Sequence, residues 1–97
     1  MRYAIVFAPE AVKDVRNLNA YVRSAVREAI EVHVRHAPTK TSQHRIKRLR
    51  GVSRPQFRLR VGDVRVFYDV TESTVEILAV VPKSEAVEWL KRAEGLR

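Results

Sequence analysis

The chain has 97 residues, 45% of them apolar and 31% charged, the balance of one folded domain, which excludes wholesale disorder. No run approaches the roughly 20 apolar residues of a membrane span, "MRYAIVF" is too short for a signal peptide, and there is no cysteine for disulfides or a thiolate zinc site. A cytoplasmic protein with no membrane partner is the expectation, and its formal net charge of +8 directs attention to polyanions.

Residues 2–7, RYAIVF, form an apolar run rich in β-formers and predict a first strand. Pro9 suits the first turn of a helix, Glu10 complements its N-terminal dipole, and Val12, Val15 and Leu18 follow at helical spacing. The NLN at 17–19 interrupts that pattern, with Asn19 placed to cap a second helix. This helix carries Val22, Val26, Ala29, Ile30 and His33 or Val34 on one face and ends before Pro38. The two helices read as an antiparallel pair, apolar on one side.

Residues 37–47, APTKTSQHRIK, are polar and predict a mobile loop. RLRGVSRPQ, with its glycine and proline, leads into a strand FRLRV. Gly62-Asp63 signals a tight turn, and VRVFYDV is the return strand. TEST (71–74) turns again into VEILAVV (75–81), whose apolar run suggests a central strand covered on both faces. PKSEAVEWLKRAEG closes the chain as a helix, with Ser84 as candidate N-cap, Lys91 and Arg92 in the last turn and Gly95 at its end. The order β-α-α-β-β-β-α describes a single α+β domain over residues 1–97. It is a small, antiparallel-dominated four-stranded sheet with one face covered by the N-terminal helical hairpin.

The charge is segregated. Nine basic residues and one acid, Asp63, lie between Lys40 and Arg65, while the rest of the chain holds ten of each sign. A generic solubility charge would be scattered, so this stretch points to nucleic acid or an acidic partner. Within it, period-two geometry puts Phe57, Leu59 and Val61 on one face of the hairpin with Val64, Val66, Tyr68 and Val70. Arg58, Arg60 and Arg65 then converge on the other face, with Phe67. Such a face is either the solvated side of an antiparallel sheet or a surface that meets anions, since facing like charges repel. His44, in the basic loop, is a candidate for proton transfer or a solvated loop residue. His33 and His36 have no acidic or cysteine partner at ligand spacing, so no metal site is expected.

The stretch from Leu49 (LRG, then FRLRVGDVRVFYDV), with the β-α-α unit before it and VEILAVVPKSEAVEW after it, resembles the RelE/ParE superfamily of toxin–antitoxin toxins. The likeness spans essentially the whole chain and is strongest to the RelE branch. It implies a ribosome-dependent endoribonuclease that cuts mRNA in the decoding site without metal or cofactor. It also implies three partners: mRNA, the ribosome with its 16S rRNA, and a cognate antitoxin in a hetero-oligomer. Position by position, Arg50 matches the basic residue of the family's LRG. Arg58 and Arg60 match two basic residues of the second strand, and Arg65 an arginine of the third. Lys83 falls at the basic residue after the last strand, and Trp89, six residues on, at an aromatic position that is tyrosine in RelE-type enzymes. Lys47, Arg48 and Arg54 extend the expected RNA-binding surface beside Arg50, and Trp89 is either a base-stacking platform there or a core anchor of the last helix.

The chemistry fits that residue set. When a 2′-OH attacks its adjacent phosphate, negative charge builds on the phosphoryl oxygens, and preorganised cations are a large catalytic term. Arginine's planar fork suits phosphate, but its pKa above about 12 makes it a poor proton carrier. Trp89 only donates, so proton transfer falls to Lys83, to His44 or to the ribosome. Two other readings compete: a ParE-like inhibitor of DNA gyrase with no nuclease activity, and a nucleic-acid-binding module without chemistry.

Overall fold

The computed structural model describes residues 1–95. It contains β1 (Ala4–Phe7), α1 (Pro9–Arg16), α2 (Ala20–Ala29), a π turn (Ile30–Val34), β2 (Ile46–Arg48), β3 (Phe57–Val61), β4 (Val64–Val70), β5 (Thr74–Pro82), a 3₁₀ turn (Lys83–Glu85) and α3 (Ala86–Gly95). The sheet runs β1-β5-β4-β3-β2, antiparallel except where β1 lies parallel to β5. It has five strands, not the expected four. The additional one, β2, pairs Ile46 with Leu59 and Arg48 with Phe57, inside the region expected to be loop.

The helical pair forms where its caps dictate. Pro9 occupies the first turn of α1, with Glu10 beside it. The Asn19 Oδ1 accepts the Val22 N–H at 2.9 Å, which satisfies one of the orphan donors of α2. Arg23 reaches back and donates to the carbonyls of Leu18 (2.7 Å) and Val15 (3.2 Å), closing the end of α1 against the start of α2. Beyond α2 the helix widens into the π turn, where the Arg35 N–H reaches the Ile30 carbonyl at 3.0 Å. Arg35 also donates to the Tyr3 carbonyl while paired with Glu31, so the helix end is tied to the start of β1.

One sheet face packs against this pair. Val26, Ala29, Ile30 and Val34 meet Phe57, Leu59, Val64, Val66, Tyr68, Val75, Ile77 and Val80 in one apolar core. Tyr68 stacks on Phe57 and donates its hydroxyl to the Pro38 carbonyl at 2.7 Å, and burial pushes its phenol above the ordinary range. The opposite face is shared. α3 crosses part of it, and Phe67, Leu78, Ala79, Val81 and Trp89 make a second, smaller core.

A β-bulge separates the two sets on β5. Phe67 faces Ala79 but Tyr68 faces Ile77, so Leu78 is an extra residue and both Leu78 and Ala79 lie on the Phe67 side. The Val80 N–H, just past the bulge, is taken by the Asp14 carboxylate of α1 at 2.9 Å. The expected cap at Ser84 does not form: Ser84 lies within the 3₁₀ turn that runs straight into α3, and no side chain caps that turn.

Asn19→Ala should lower stability by about 1 kcal/mol, read as a shift in urea midpoint at constant m-value, and Asn19→Asp should restore most of it.

Candidate phosphate-binding site

The β3–β4 hairpin closes through Gly62 and Asp63 alone. A positive φ (56°) at Gly62, the first central position, is the pattern of a type II′ turn. This turn fixes the register Arg60↔Arg65 and Arg58↔Phe67, so the three arginines share the face that the helical pair does not cover. Lys47 of β2 joins them opposite Arg58, and the Arg60 N–H bonds the carbonyl of Arg45 at 2.9 Å.

None of Lys47, Arg58, Arg60 and Arg65 forms an ion pair among the described residues. Arg65 is only 7% exposed, and its Nη1 donates to the carbonyls of Gly62 (2.8 Å) and Val64 (3.1 Å), so backbone rather than a carboxylate holds it beneath the turn. Burial, then the Arg60 charge, pull its pKa below the usual arginine value, with Asp63 opposing. Arg58 is half-buried and its Nε is enclosed with no partner. Burial again leads, followed by Arg65 and Arg60, in lowering its pKa. An unmet buried donor costs about 1–3 kcal/mol, more on a charged group, and an anion relieves it. The cluster thus concentrates positive charge that no side chain among the described residues neutralises by ion pairing.

Two further basic side chains, His44 and Lys83, stand at its rim. His44 lines a depression of about 190 Å³ with Arg45, Arg60 and Gly62. Lys83 follows β5 directly, its N–H donating to the Asp63 carbonyl at 2.7 Å, which sets this exposed lysine beside the turn.

Other sequence candidates sit elsewhere. Arg48 lies over the Phe57 ring at 5.2 Å, on the helix-side face, because β2 alternation sends Lys47 and Arg48 to opposite sides. Arg50 is exposed in the loop after β2. Arg54 is not a free cation: it pairs with Asp69 (2.9 Å) and Glu76 (2.7 Å). Trp89 is 7% exposed and stacks on Phe67 (centroids 4.9 Å apart, planes within 4°), donating Nε1–H to Glu10 at 3.3 Å. Its ring is a core anchor with a face already occupied, not an open platform for a base. A separate cleft of about 480 Å³ beside it is mostly apolar, and its charged residues, Glu10 and Arg54, are already engaged. Arg45 is the site residue that sequence reasoning passed over. It counted there only as one of the nine basic residues between Lys40 and Arg65, and the alternation R-I-K-R is too short to separate from the polar run around it.

Residues 5–87 match the family described as "ParE toxin of type II toxin-antitoxin system, parDE". The chain belongs to the ParE toxin family. No curated protein gives a significant match by sequence search. Among solved structures, this ParE-family toxin is similar to a free-state mutant of E. coli toxin RelE, with a TM-score of 0.70 and 27% identity over 99% of this chain and 96% of that one. It is also similar to the RelBE2 toxin–antitoxin complex of Mycobacterium tuberculosis (TM-score 0.70, 26% identity, 84% and 99% covered). A RelB-RelE complex from Methanococcus jannaschii shares the fold at TM-score 0.68 and 21% identity, with 87% and 96% covered. The toxin is thus RelE-like in architecture.

If Trp89 anchors the second core, Trp89→Ala should cost about 3–5 kcal/mol in chemical denaturation. Trp89→Phe, which keeps the stack on Phe67, should cost less than half of that.

Proposed function

We propose that this toxin is a ribosome-dependent mRNA endonuclease that arrests translation. The observation that supports it best is the cluster of Arg58, Arg60 and Arg65 on one sheet face, three cations that form no ion pair among the described residues. In the proposed reaction the 2′-OH attacks the adjacent phosphorus and the bond to the 5′-oxygen breaks. A proton leaves the attacking hydroxyl and another reaches the departing oxygen. Arg58, Arg60 and Arg65 stabilise the charge that builds on the phosphoryl oxygens. His44 and Lys83 are the chain's candidates for moving the protons, and Lys47 and Arg50 are proposed to hold the RNA backbone beside them. The ribosome supplies the remaining alignment of the mRNA.

A second reading, a ParE-like gyrase inhibitor, is favoured by the name of the matching family and by a buried tryptophan where a RelE-type tyrosine is expected. The two readings separate cleanly. Primer extension on mRNA from cells briefly expressing the toxin shows cuts within translated codons in one case. DNA damage with stalled gyrase and intact mRNA appears in the other.

An antitoxin partner is part of the proposal, since the similar structures include RelB-RelE complexes. The partner's inhibitory segment is expected to be acidic, supplying the carboxylates that the arginine face lacks.

Arg58→Met should lower cleavage by at least about 100-fold. The same change should raise or leave unchanged the melting temperature, because it removes an unmet buried donor and a like-charge repulsion. Cleavage that survives in an Arg58→Met, Arg65→Met double variant would overturn the assignment of this face.

A further inference from the structure

Behind the arginine face, where the π turn meets the loop entering β2, lies a depression of about 310 Å³. His33, Lys40, Ser42 and Arg45 line it, over an apolar wall that includes Val32 and Ile46. We propose that this depression binds a second phosphate of single-stranded RNA, one that flanks the phosphate held by Arg58, Arg60 and Arg65. The proposal rests on the reading of the chain as an RNA-directed toxin, and it adds a subsite to that reading.

The lining offers donors and no carboxylate. The Ser42 hydroxyl oxygen already accepts the N–H groups of Arg45 (3.0 Å) and Ile46 (3.2 Å), so both lone pairs are in use. Its proton is left to donate to whatever enters. Among the described residues the His33 ring has no hydrogen-bond partner, and neither Lys40 nor Arg45 is ion-paired. The π turn is the local irregularity that brings His33 here, one residue beyond the exposed Val32. Cationic and hydroxyl donors above an apolar wall match a nucleotide, which presents a phosphate next to a sugar and a base.

Continuity with the arginine face comes from Arg45. It lines this depression and also the smaller one that holds His44, Arg60 and Gly62, and its carbonyl bonds the Arg60 N–H. A strand lying on Arg60 and Arg65 therefore meets Arg45 where it leaves the sheet at the β2 edge. The residue common to the two depressions is a cation.

The depression also carries a pH signature. Burial, and then the Arg45 charge, hold the His33 pKa below its ordinary value, which leaves it neutral near pH 7. The charged groups facing it from the neighbouring segments are Arg45 and Lys40, both cationic. A bound phosphate favours the imidazolium, so occupancy raises the His33 pKa, and binding tightens as pH falls toward 6.

The test uses the whole chain free of ribosomes. A fluorescent hexaribonucleotide and a dinucleotide are titrated by anisotropy, and inorganic phosphate is titrated in parallel while the His33 ring resonance is followed by NMR. Lys40→Gln alone, an exposed change that leaves the fold intact, should weaken hexanucleotide binding by about tenfold. It should reduce the logarithmic salt slope by about 0.7, with dinucleotide affinity unchanged. His33→Gln should remove the gain in affinity at low pH. Hexanucleotide affinity unaltered by Lys40→Gln overturns the proposal, as does an equal loss for the dinucleotide or no binding by the parent chain. A His33 resonance that responds to inorganic phosphate but not to the hexanucleotide overturns it in favour of a free phosphate. Cleavage on ribosomes is measured separately, so a toxin that binds as expected yet cuts nothing refutes the nuclease reading and leaves the subsite standing.

Discussion

Along β3 and β4 successive side chains leave the sheet on opposite sides, so the register that seats Leu59 and Val66 against the helices also aligns Arg60 with Arg65 on the far face. Neither half can change alone. A slip of one residue would bury arginines under α2 and expose Phe57 and Tyr68, at a cost far beyond what the fold can bear. The core that the helical pair builds is what compels three cations into proximity, and the two-residue turn at Gly62 locks the alignment. The apolar core and the cationic face share one geometric device here, and they make opposite demands on it.

The repulsion within the cluster is managed by distribution rather than by neutralisation. Asp69 and Glu76 belong by alternation to the same face as the arginines, at its other end, and Arg54 holds both. Between the two ends stand Phe67 and Leu78, roofed by α3 through Trp89. The face is thus divided into a neutralised end, an apolar middle and a cationic end. Arg54 contributes by occupying the two carboxylates of this face, Asp69 and Glu76. Within the cationic end, carbonyls of the turn hold Arg65, which fixes the guanidinium without cancelling its charge.

What the sequence made legible was local. Pro9, Asn19 and Gly62-Asp63 act within a few residues of themselves, and each stands where its chemistry suggested. The alternation of the hairpin separated Arg58, Arg60 and Arg65 from the core side correctly, because period two is decided by the backbone alone. What escaped depends on partners distant in the chain. β2 exists because Ile46 finds Leu59, and three residues are too few to announce a strand. Arg54 looked like one more cation in a basic run until Asp69 and Glu76 folded beside it. The helical pattern of Ala86, Trp89, Leu90 and Ala93 hinted at a core role for Trp89, but only the position of Phe67 on the sheet decided it.

The bulge at Leu78 acts as a phase shifter. Counting by twos from Val75 and Ile77 on an unbroken strand would send Ala79, Val81 and the position of Lys83 to the helix side. The single extra residue reverses that parity, so Val81 packs against the second core and Lys83 emerges beside the hairpin turn. The same letters on a strand without the bulge would present the opposite set of side chains, whereas a homologue that lacked Leu78 itself would keep the facing of Val80 and Val81 with one letter fewer. Alignments of this strand across the family therefore have to be anchored on facing, not on letter count.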